Sequence, residues 1–186
     1  MEITSFNELK YFTGLLYNVY DPVSTIALDY MTFAGCSNLE EITLMPNIQI
    51  INGSVFSRCT SLKSIILPDT LEFINTNVFE YCTSLVTVKL PETLTQPKFS
   101  GGLFMGCSSL TSLIEISAIT TSIGIRAFYG CTSLSGVKML GSIPPSIEYE
   151  AFGGRTTFPI YVPEAAVNAY KSASGWTSLA SRIMGY

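Results

Sequence analysis

The stretch Phe56-Ser57-Arg58-Cys59-Thr60-Ser61-Leu62-Lys63-Ser64-Ile65-Ile66-Leu67-Pro68 is one copy of a pattern that recurs along most of the chain. Five copies begin with Phe and have Cys three residues later, and their phenylalanines are Phe33, Phe56, Phe79, Phe104 and Phe128. A sixth copy, at Phe152, has lost its Cys. The spacings from Phe to Phe are 23, 23, 25, 24 and 24 residues. A nearly fixed period of this length predicts a solenoid in which each copy forms one coil.

Each copy contains the pattern of one short strand. In the quoted copy, Ile65 and Leu67 alternate with polar residues and point inward, and Pro68 ends the strand because it cannot donate a hydrogen bond to a ladder. The residue five positions before each Phe is also apolar and is predicted to point inward (Leu28, Ile51, Ile74, Phe99, Ile123 and Ile147). We therefore predict a right-handed, β-rich solenoid of about six coils, with short parallel strands and a helical or 3₁₀ turn before each Cys.

Irregular spacings indicate where the coils depart from the pattern. Two extra residues within 95–102 predict a bulge on the convex side. One extra residue between Cys107 and Ile116 predicts a bulge within 113–116 that keeps Ile116 inward and turns Glu115 outward. Without that bulge, the carboxylate would be buried without a partner, which is costly.

The two ends differ from the repeats, as the ends of a solenoid must. Ser5 and Glu8 have the spacing of a capping box and predict a cap helix over residues 6–12, followed by a degenerate first coil over 15–32. At the other end we predict a last strand over 160–162, a helix over 164–172 and Trp176 as a lid. The chain thus divides into an N-terminal cap and first coil (1–32), the repeats (33–158) and a C-terminal strand and helical cap (159–186), within one continuous domain.

The five cysteines occupy the same place in successive copies. They should therefore stack with one residue per coil, about 4.8 Å apart. A free Cys packs as a small apolar residue, and we interpret the five as buried free thiols. The alternative is a disulfide between neighbouring coils, but the repeat explains the cysteines without such a bond.

Composition excludes several classes of function. The net charge of −4 and the scattered Lys and Arg residues argue against a nucleic-acid partner. Mean hydropathy is +0.37, but no window of about 18 residues is free of polar or charged residues, so we predict no membrane insertion.

No motif for catalysis, a cofactor or a metal is found. The chain has no His, and a straight row of Cys cannot surround one ion. The nearest acidic pairs are Glu40 with Glu41 and Glu148 with Glu150, and we interpret both as solvated surface rather than as an acid and a base. The sequence therefore predicts a protein that is not an enzyme and that needs no cofactor.

The repeat Phe-x-x-Cys-[Thr/Ser]-[Ser/Asn]-Leu-x-x-[Ile/Val]-x-[Leu/Met]-Pro resembles that of the BspA-like leucine-rich repeat family, from Phe33 to about Val162. The endings at 3–14 and 160–176 are also similar to those of the family. The resemblance implies a leucine-rich-repeat fold, no catalytic residues, and a secreted or cell-surface bacterial protein, some members being adhesins for host extracellular proteins. Met1-Glu2 leads straight into structured sequence, with no signal peptide. Either the protein is cytoplasmic or the sequence is a trimmed piece of such a surface protein, and the resemblance favours the trimmed piece.

What remains for function is the outward side of the predicted strands, hereafter the strand face. One row of this face is the candidate protein-binding site: Thr43, Ile66, Lys89, Glu115, Lys138 and Tyr161. A second row is Glu41, Ser64, Thr87 and Ser112. These residues also suit a merely solvated sheet, so the alternative function is a structural spacer that projects another domain.

The leading hypothesis is a non-enzymatic interaction module whose partner is a host matrix or mucosal protein. A contiguous exposed apolar patch on the first row would favour it over the spacer. We expect a monomer, although a side-by-side dimer through the strand face is also compatible with the sequence.

Overall fold

The structure is a computed structural model that describes residues 5–6 and 26–186. The chain forms a β-solenoid of about seven turns, and its parallel strands confirm the predicted fold class. Each coil has three sides: a strand on the strand face, a shorter second strand, and a turn that carries the Phe-x-x-Cys motif. A single apolar cluster runs through the interior of the coils.

The strand face consists of two four-stranded parallel sheets. The first contains β1 (Ser5–Phe6), β3 (Glu41–Thr43), β5 (Ser64–Ile66) and β7 (Thr87–Lys89). The second contains β9 (Leu113–Ile116), β11 (Gly136–Met139), β13 (Ile160–Val162) and β14 (Ile183–Gly185). In β3, β5 and β7 the central residue, such as Ile65 in β5, is buried between two exposed neighbours, as the period-two pattern predicts.

The second side of each coil is a two-residue strand, which the sequence pattern did not identify as β-structure. One sheet contains β2 (Ala27–Leu28), β4 (Ile50–Ile51) and β6 (Phe73–Ile74), and another contains β8 (Lys98–Phe99), β10 (Ser122–Ile123) and β12 (Ser146–Ile147). The apolar residue five positions before each Phe lies in these strands. It is buried in every coil except the last, where Ile147 is partly buried.

The third side is a ladder of turns, which we call the turn ladder. Where a helical or 3₁₀ turn was predicted, the residues two before and two after each Phe have positive φ, for example Ser54 at 59° and Arg58 at 62°. This conformation turns alternate N–H groups toward the next coil. The N–H groups of Ser54, Phe56 and Arg58 donate to the carbonyls of the next coil at 3.0, 3.0 and 2.7 Å. The phenylalanine rings stack alongside, with centroids 5.4 to 5.9 Å apart from Phe33 to Phe152.

The cysteines belong to the same ladder. All five are free thiols; four are buried and Cys36 is half-buried. The thiol of Cys82 donates to the carbonyl oxygen of Phe56 in the preceding coil at 3.1 Å, and Cys59, Cys107 and Cys131 make the same bond at 3.0 to 3.1 Å. The sequence predicted a small apolar filler, whereas the residue is also a hydrogen-bond donor.

The C-terminal cap follows the prediction and extends it. After β13 come a 3₁₀ helix (Glu164–Ala166), α1 (Val167–Ser172), a second 3₁₀ helix (Thr177–Arg182) and β14. Trp176 is fully buried, and its Nε1 donates to the carbonyl of Pro145 at 2.7 Å. Its ring lies 5.8 Å from that of Phe152, so it covers the end of the phenylalanine stack as predicted. Strand β14, which adds one more row to the strand face, was not predicted.

The start of the predicted N-terminal helix is wrong. Ser5 and Phe6 form strand β1, which pairs in parallel with Glu41 and Ile42 of β3. An edge strand that continues the sheet takes precedence here over the local capping-box pattern. The rest of that helix, at 7–12, and most of the first coil lie outside the described residues.

Both strand ladders are interrupted at one junction, between the coil of β6 and β7 and the coil of β8 and β9. We call this junction the seam. It coincides with the two irregular spacings. Across it the turn ladder continues unchanged: the N–H groups of Asn77, Phe79 and Tyr81 donate to the next coil at 2.9, 3.0 and 2.6 Å.

Side chains replace the missing backbone pairs at the seam. On the strand face, the N–H of Val88 donates to Ser112 Oγ at 3.0 Å. On the second side, the N–H of Ile74 donates to Gln96 Oε1 at 2.8 Å. Ile116 is buried and Glu115 exposed, as the predicted bulge required, but the predicted position was wrong: residues 113–116 form a regular strand, and the irregularity lies at Ser112, just before it.

Candidate protein-interaction face

The six candidate residues form two groups in register rather than one row. Thr43, Ile66 and Lys89 are neighbours on β3, β5 and β7. Glu115, Lys138 and Tyr161 are neighbours on β9, β11 and β13, and the seam separates the two groups. We call them the N-terminal and the C-terminal half of the strand face.

The N-terminal half is polar, with one isolated apolar residue. Ile66 is 85% exposed, but its two neighbours in the row are Thr43 and Lys89. The second row on this half consists of Glu41, Ser64 and Thr87, as predicted. Single exposed apolar residues are common and need no functional explanation.

Ser112 does not continue this second row, which corrects the prediction. Its hydroxyl oxygen is the acceptor for the Val88 N–H at the seam, so the side chain completes the ladder instead of facing outward. Leu113, 45% exposed, takes its place and lies next to Gly136 in register.

The C-terminal half carries an apolar patch built around Gly136. A Cβ atom at this glycine would lie 2.9 Å from the Tyr161 ring and 3.2 Å from Leu113 Cδ1, so these two side chains cover the glycine from both sides. Met184 of β14, 51% exposed, is the register neighbour of Tyr161. The sequence-based row contained only Tyr161 of this patch. The patch could have been found from the sequence through Gly136. Earlier copies have a larger residue at this position: Glu41, Ser64 and Thr87.

A charged cluster borders the patch. Lys138 Nζ lies 3.0 Å from Glu115 Oε1 and 4.7 Å from the centroid of the Tyr186 ring. The hydrogen bond with Glu115 raises the pKa of Lys138. The Tyr186 hydroxyl donates to the carbonyl of Met139 at 3.2 Å, which fixes the ring beneath the ammonium group. The cluster is therefore ordered before any partner arrives.

Three residues of the acidic pairs noted in the sequence, Glu40, Glu148 and Glu150, form ion pairs. Glu148 lies 2.6 Å from Lys98, and this hydrogen bond lowers the pKa of Glu148. Glu150 lies 2.8 Å from Arg126, and Glu40 lies 2.7 Å from Lys63. Within residues 5–6 and 26–186, no three His, Cys, Asp or Glu side chains gather as metal ligands would. Over the same residues, no helix has the length and apolar character needed to cross a bilayer.

Comparison with known proteins identifies the repeat. The model of the BspA type leucine rich repeat region matches residues 11–110 and 97–174, in six copies. No protein of curated function is significantly similar to the chain in sequence.

Solved structures give a consistent result. A leucine rich cell surface protein from Faecalibacterium prausnitzii is 26% identical with a TM-score of 0.62; the match covers 73% of this chain and 36% of that one. A leucine rich repeat protein of T. pallidum is 27% identical with a TM-score of 0.60, over 74% of this chain and 72% of that one. A leucine-rich repeat protein from Bacteroides ovatus is 18% identical with a TM-score of 0.50 over 89% and 51% of the two chains, and this likeness concerns the fold alone. The match therefore spans about a third of the F. prausnitzii chain and about half of the B. ovatus chain.

Proposed function

The chain belongs to the BspA-type leucine-rich repeat family, and from this premise we propose that it is a non-enzymatic interaction module of a secreted or cell-surface protein. The module binds a host extracellular or mucosal protein through the C-terminal half of its strand face. Repeat proteins of this kind commonly bind proteins with extended, preformed surfaces. The description of the F. prausnitzii relative as a cell surface protein supports the location.

The observation that carries the proposal is the patch formed by Leu113, Tyr161 and Met184 around Gly136. Its members touch or adjoin one another, and the ordered pair of Lys138 and Glu115 lies beside them. An apolar centre containing Tyr and Met with charged groups at its border is the composition of many protein interfaces. Among the described outward residues of β3, β5 and β7 in the N-terminal half, Ile66 is the one apolar side chain, so the two halves serve as the site and its internal control.

The test is a biolayer-interferometry panel of fibronectin, fibrinogen, collagen, laminin and mucin at two salt concentrations. We expect saturable binding to at least one member, weakened by about 2 kcal/mol or more in a Tyr161→Ala/Met184→Ala variant, as for central interface residues. The matched control is Ile66→Thr, which removes the exposed apolar residue of the other half and should leave binding unchanged. Equal loss in both variants would place the site elsewhere.

The structural spacer remains the second candidate, and the turn ladder is the observation that favours it. A continuous phenylalanine stack with equal spacing makes a stiff rod, whatever its surface binds. Absence of binding to every panel member at micromolar concentration would remove the host-matrix proposal and rank the spacer first.

A further inference from the structure

A cavity of about 260 Å³ opens at the seam, where both strand ladders are interrupted. Its lining combines apolar residues, among them Leu90, Leu94, Phe99, Ile116 and Leu140, with polar ones such as Thr120, Gln96 and Ser117. We call it the seam pocket. Glu115 lines the pocket and also belongs to the strand face, so the two surfaces are continuous.

A small polar residue, Thr120, stands beside the cavity at a position that is aliphatic in earlier coils. Ile48, Leu71, Leu94 and Thr120 occupy the same position of successive coils, since the N–H of each donates to the carbonyl three residues earlier, at 3.4, 3.0, 3.3 and 3.0 Å. This position holds a large aliphatic residue in the first three of these coils and a small polar residue, Thr120, in the fourth.

The neighbouring coil shows the effect of this gap. Leu71 is fully buried, whereas its counterpart Leu94 at the seam is half-buried. Leu67 is likewise buried, and its counterpart Leu90 is half-buried. Two leucines at core positions therefore face a space that the regular repeat would have filled.

The size and charge of the pocket define the ligand class. An apolar protein cavity of ~150 Å³ binds benzene, so the larger seam pocket can hold a two-ring side chain such as that of Trp. At the rim, Lys98 is paired with Glu148 and Glu115 with Lys138. Glu92 forms no ion pair within residues 26–186 and leaves the rim one negative charge in excess.

We propose that the seam pocket receives a bulky aromatic side chain from a partner protein, presented next to a basic residue that meets Glu92. This rests on the proposed function, because it names the partner chemistry of the same interaction face. A protein segment is favoured over a free metabolite because the pocket joins the strand face through Glu115, so one chain can occupy both.

The probe is N-acetyl-Trp-Arg-amide, titrated into the ¹⁵N-labelled 186-residue chain and followed by two-dimensional NMR. We expect saturable shifts of the Leu94, Phe99 and Ile116 amides with a dissociation constant of about 1 mM. N-acetyl-Ala-Arg-amide should not bind, and N-acetyl-Trp-Glu-amide should bind about threefold more weakly. No saturable shift of the pocket amides up to about 10 mM overturns the proposal.

Two variants with matched controls localise the site. Thr120→Leu restores the aliphatic residue of the repeat and should weaken the peptide by about tenfold or more through steric exclusion, whereas the exposed Thr132→Leu should have no effect. Glu92→Gln should weaken it about threefold, and Asp69→Asn, one coil earlier in the same position, should not. Binding unchanged in Thr120→Leu overturns the proposal.

A last arm separates the sources of the ligand. Tryptamine carries the ring and the charge without a peptide backbone, and binding as tight as that of the dipeptide would overturn the assignment to a protein segment. If the Thr120→Leu variant still binds a panel protein with unchanged affinity, the proposal that the seam pocket binds the partner is overturned. The proposal that the strand face binds it is then unaffected. Peptide binding without any panel binding would instead remove the proposed host-protein function.

Discussion

Two junctions between successive coils differ in how they are held together. Between the coils of β5 and β7, backbone bonds connect the strand face and the turn ladder without a break. At the seam the turn ladder keeps its pattern but the strands are not paired. The other two sides keep backbone bonds from the Thr111 N–H to Val86 and from the Thr95 N–H to Glu72, and side chains of Ser112 and Gln96 replace strand pairing there. The comparison indicates that the stacked Phe-x-x-Cys turns set the register of the coils and that the strand sides tolerate inserted residues.

Removing a ring from the turn ladder should have the largest effect on stability and is the most direct test of this difference. Phe79→Ala should lower the free energy of unfolding by about 3–5 kcal/mol, because the ring is fully buried and stacks on Phe56 and Phe104 on both sides. Phe73→Ala, which removes a ring that is 42% exposed on the second side, should cost about 1 kcal/mol or less. Urea denaturation measures both, and equal losses would contradict the special role of the turns.

High pH should weaken the same ladder. Burial raises the pKa of Cys59 and of Cys131 to about 12, from an ordinary value of 9.0. The unfolded chain therefore loses these protons first, so the stabilisation is complete below about pH 9 and decreases as the pH rises toward 12. Between pH 8 and 11 the loss is roughly 2–3 kcal/mol for each such thiol.

A Cys59→Ala variant isolates this effect from the titration of Lys and Tyr. Its free energy of unfolding should fall less steeply than that of the wild type over pH 8–11, by about 2 kcal/mol. Parallel curves for the two proteins would show that Cys59 ionises as readily in the folded as in the unfolded chain.

The side-chain bridges test the other half of the comparison. Ser112→Ala leaves the Val88 N–H without its acceptor, and Gln96→Ala does the same to the Ile74 N–H. Each should cost about 1–3 kcal/mol, the penalty for an unpaired buried donor. Ser108→Ala, at an exposed position, is the control and should change the free energy of unfolding by about 0.5 kcal/mol or less.

Repairing the seam should have the smallest effect and the opposite sign. Thr120→Leu supplies the aliphatic side chain that earlier coils have at this position, as Leu71 and Leu94. It should raise the free energy of unfolding by about 0.5–2 kcal/mol. Thr132→Leu should not. A destabilised Thr120→Leu protein would mean that the cavity is too small for the added atoms.

The regular part of the fold was predictable because its signals repeat. Phe56, Cys59 and Ile65 have counterparts in four other copies, so their burial follows from a phase that many residues support. The outward position of Glu115 was predictable from the cost of burying a charge. The pattern did not reveal the thiol donors, because a buried Cys has the same periodicity whether or not it donates.

Features that occur only once in the chain were harder to predict from the sequence. Strand β14 and the patch residue Met184 lie beyond the repeats, where no period indicates register. The exact place of the inserted residue could not be deduced, since Ser112 and the four residues of β9 differ only in the contacts they make across the seam. The seam pocket itself depends on a comparison of Thr120 with Leu71 and Leu94, which requires the register of the turns.

The uneven seam also has a mechanical consequence. Hydrogen bonds between coils run along the solenoid axis, so a pull on the two ends loads the junctions in series. The junction with the fewest backbone bonds should yield first, and at the seam the turns would then serve as a pivot about which the two halves splay apart. Under tension the chain should therefore lengthen in two stages, with the first opening at Leu94 and Thr120 and the remaining coils unwinding only at higher force.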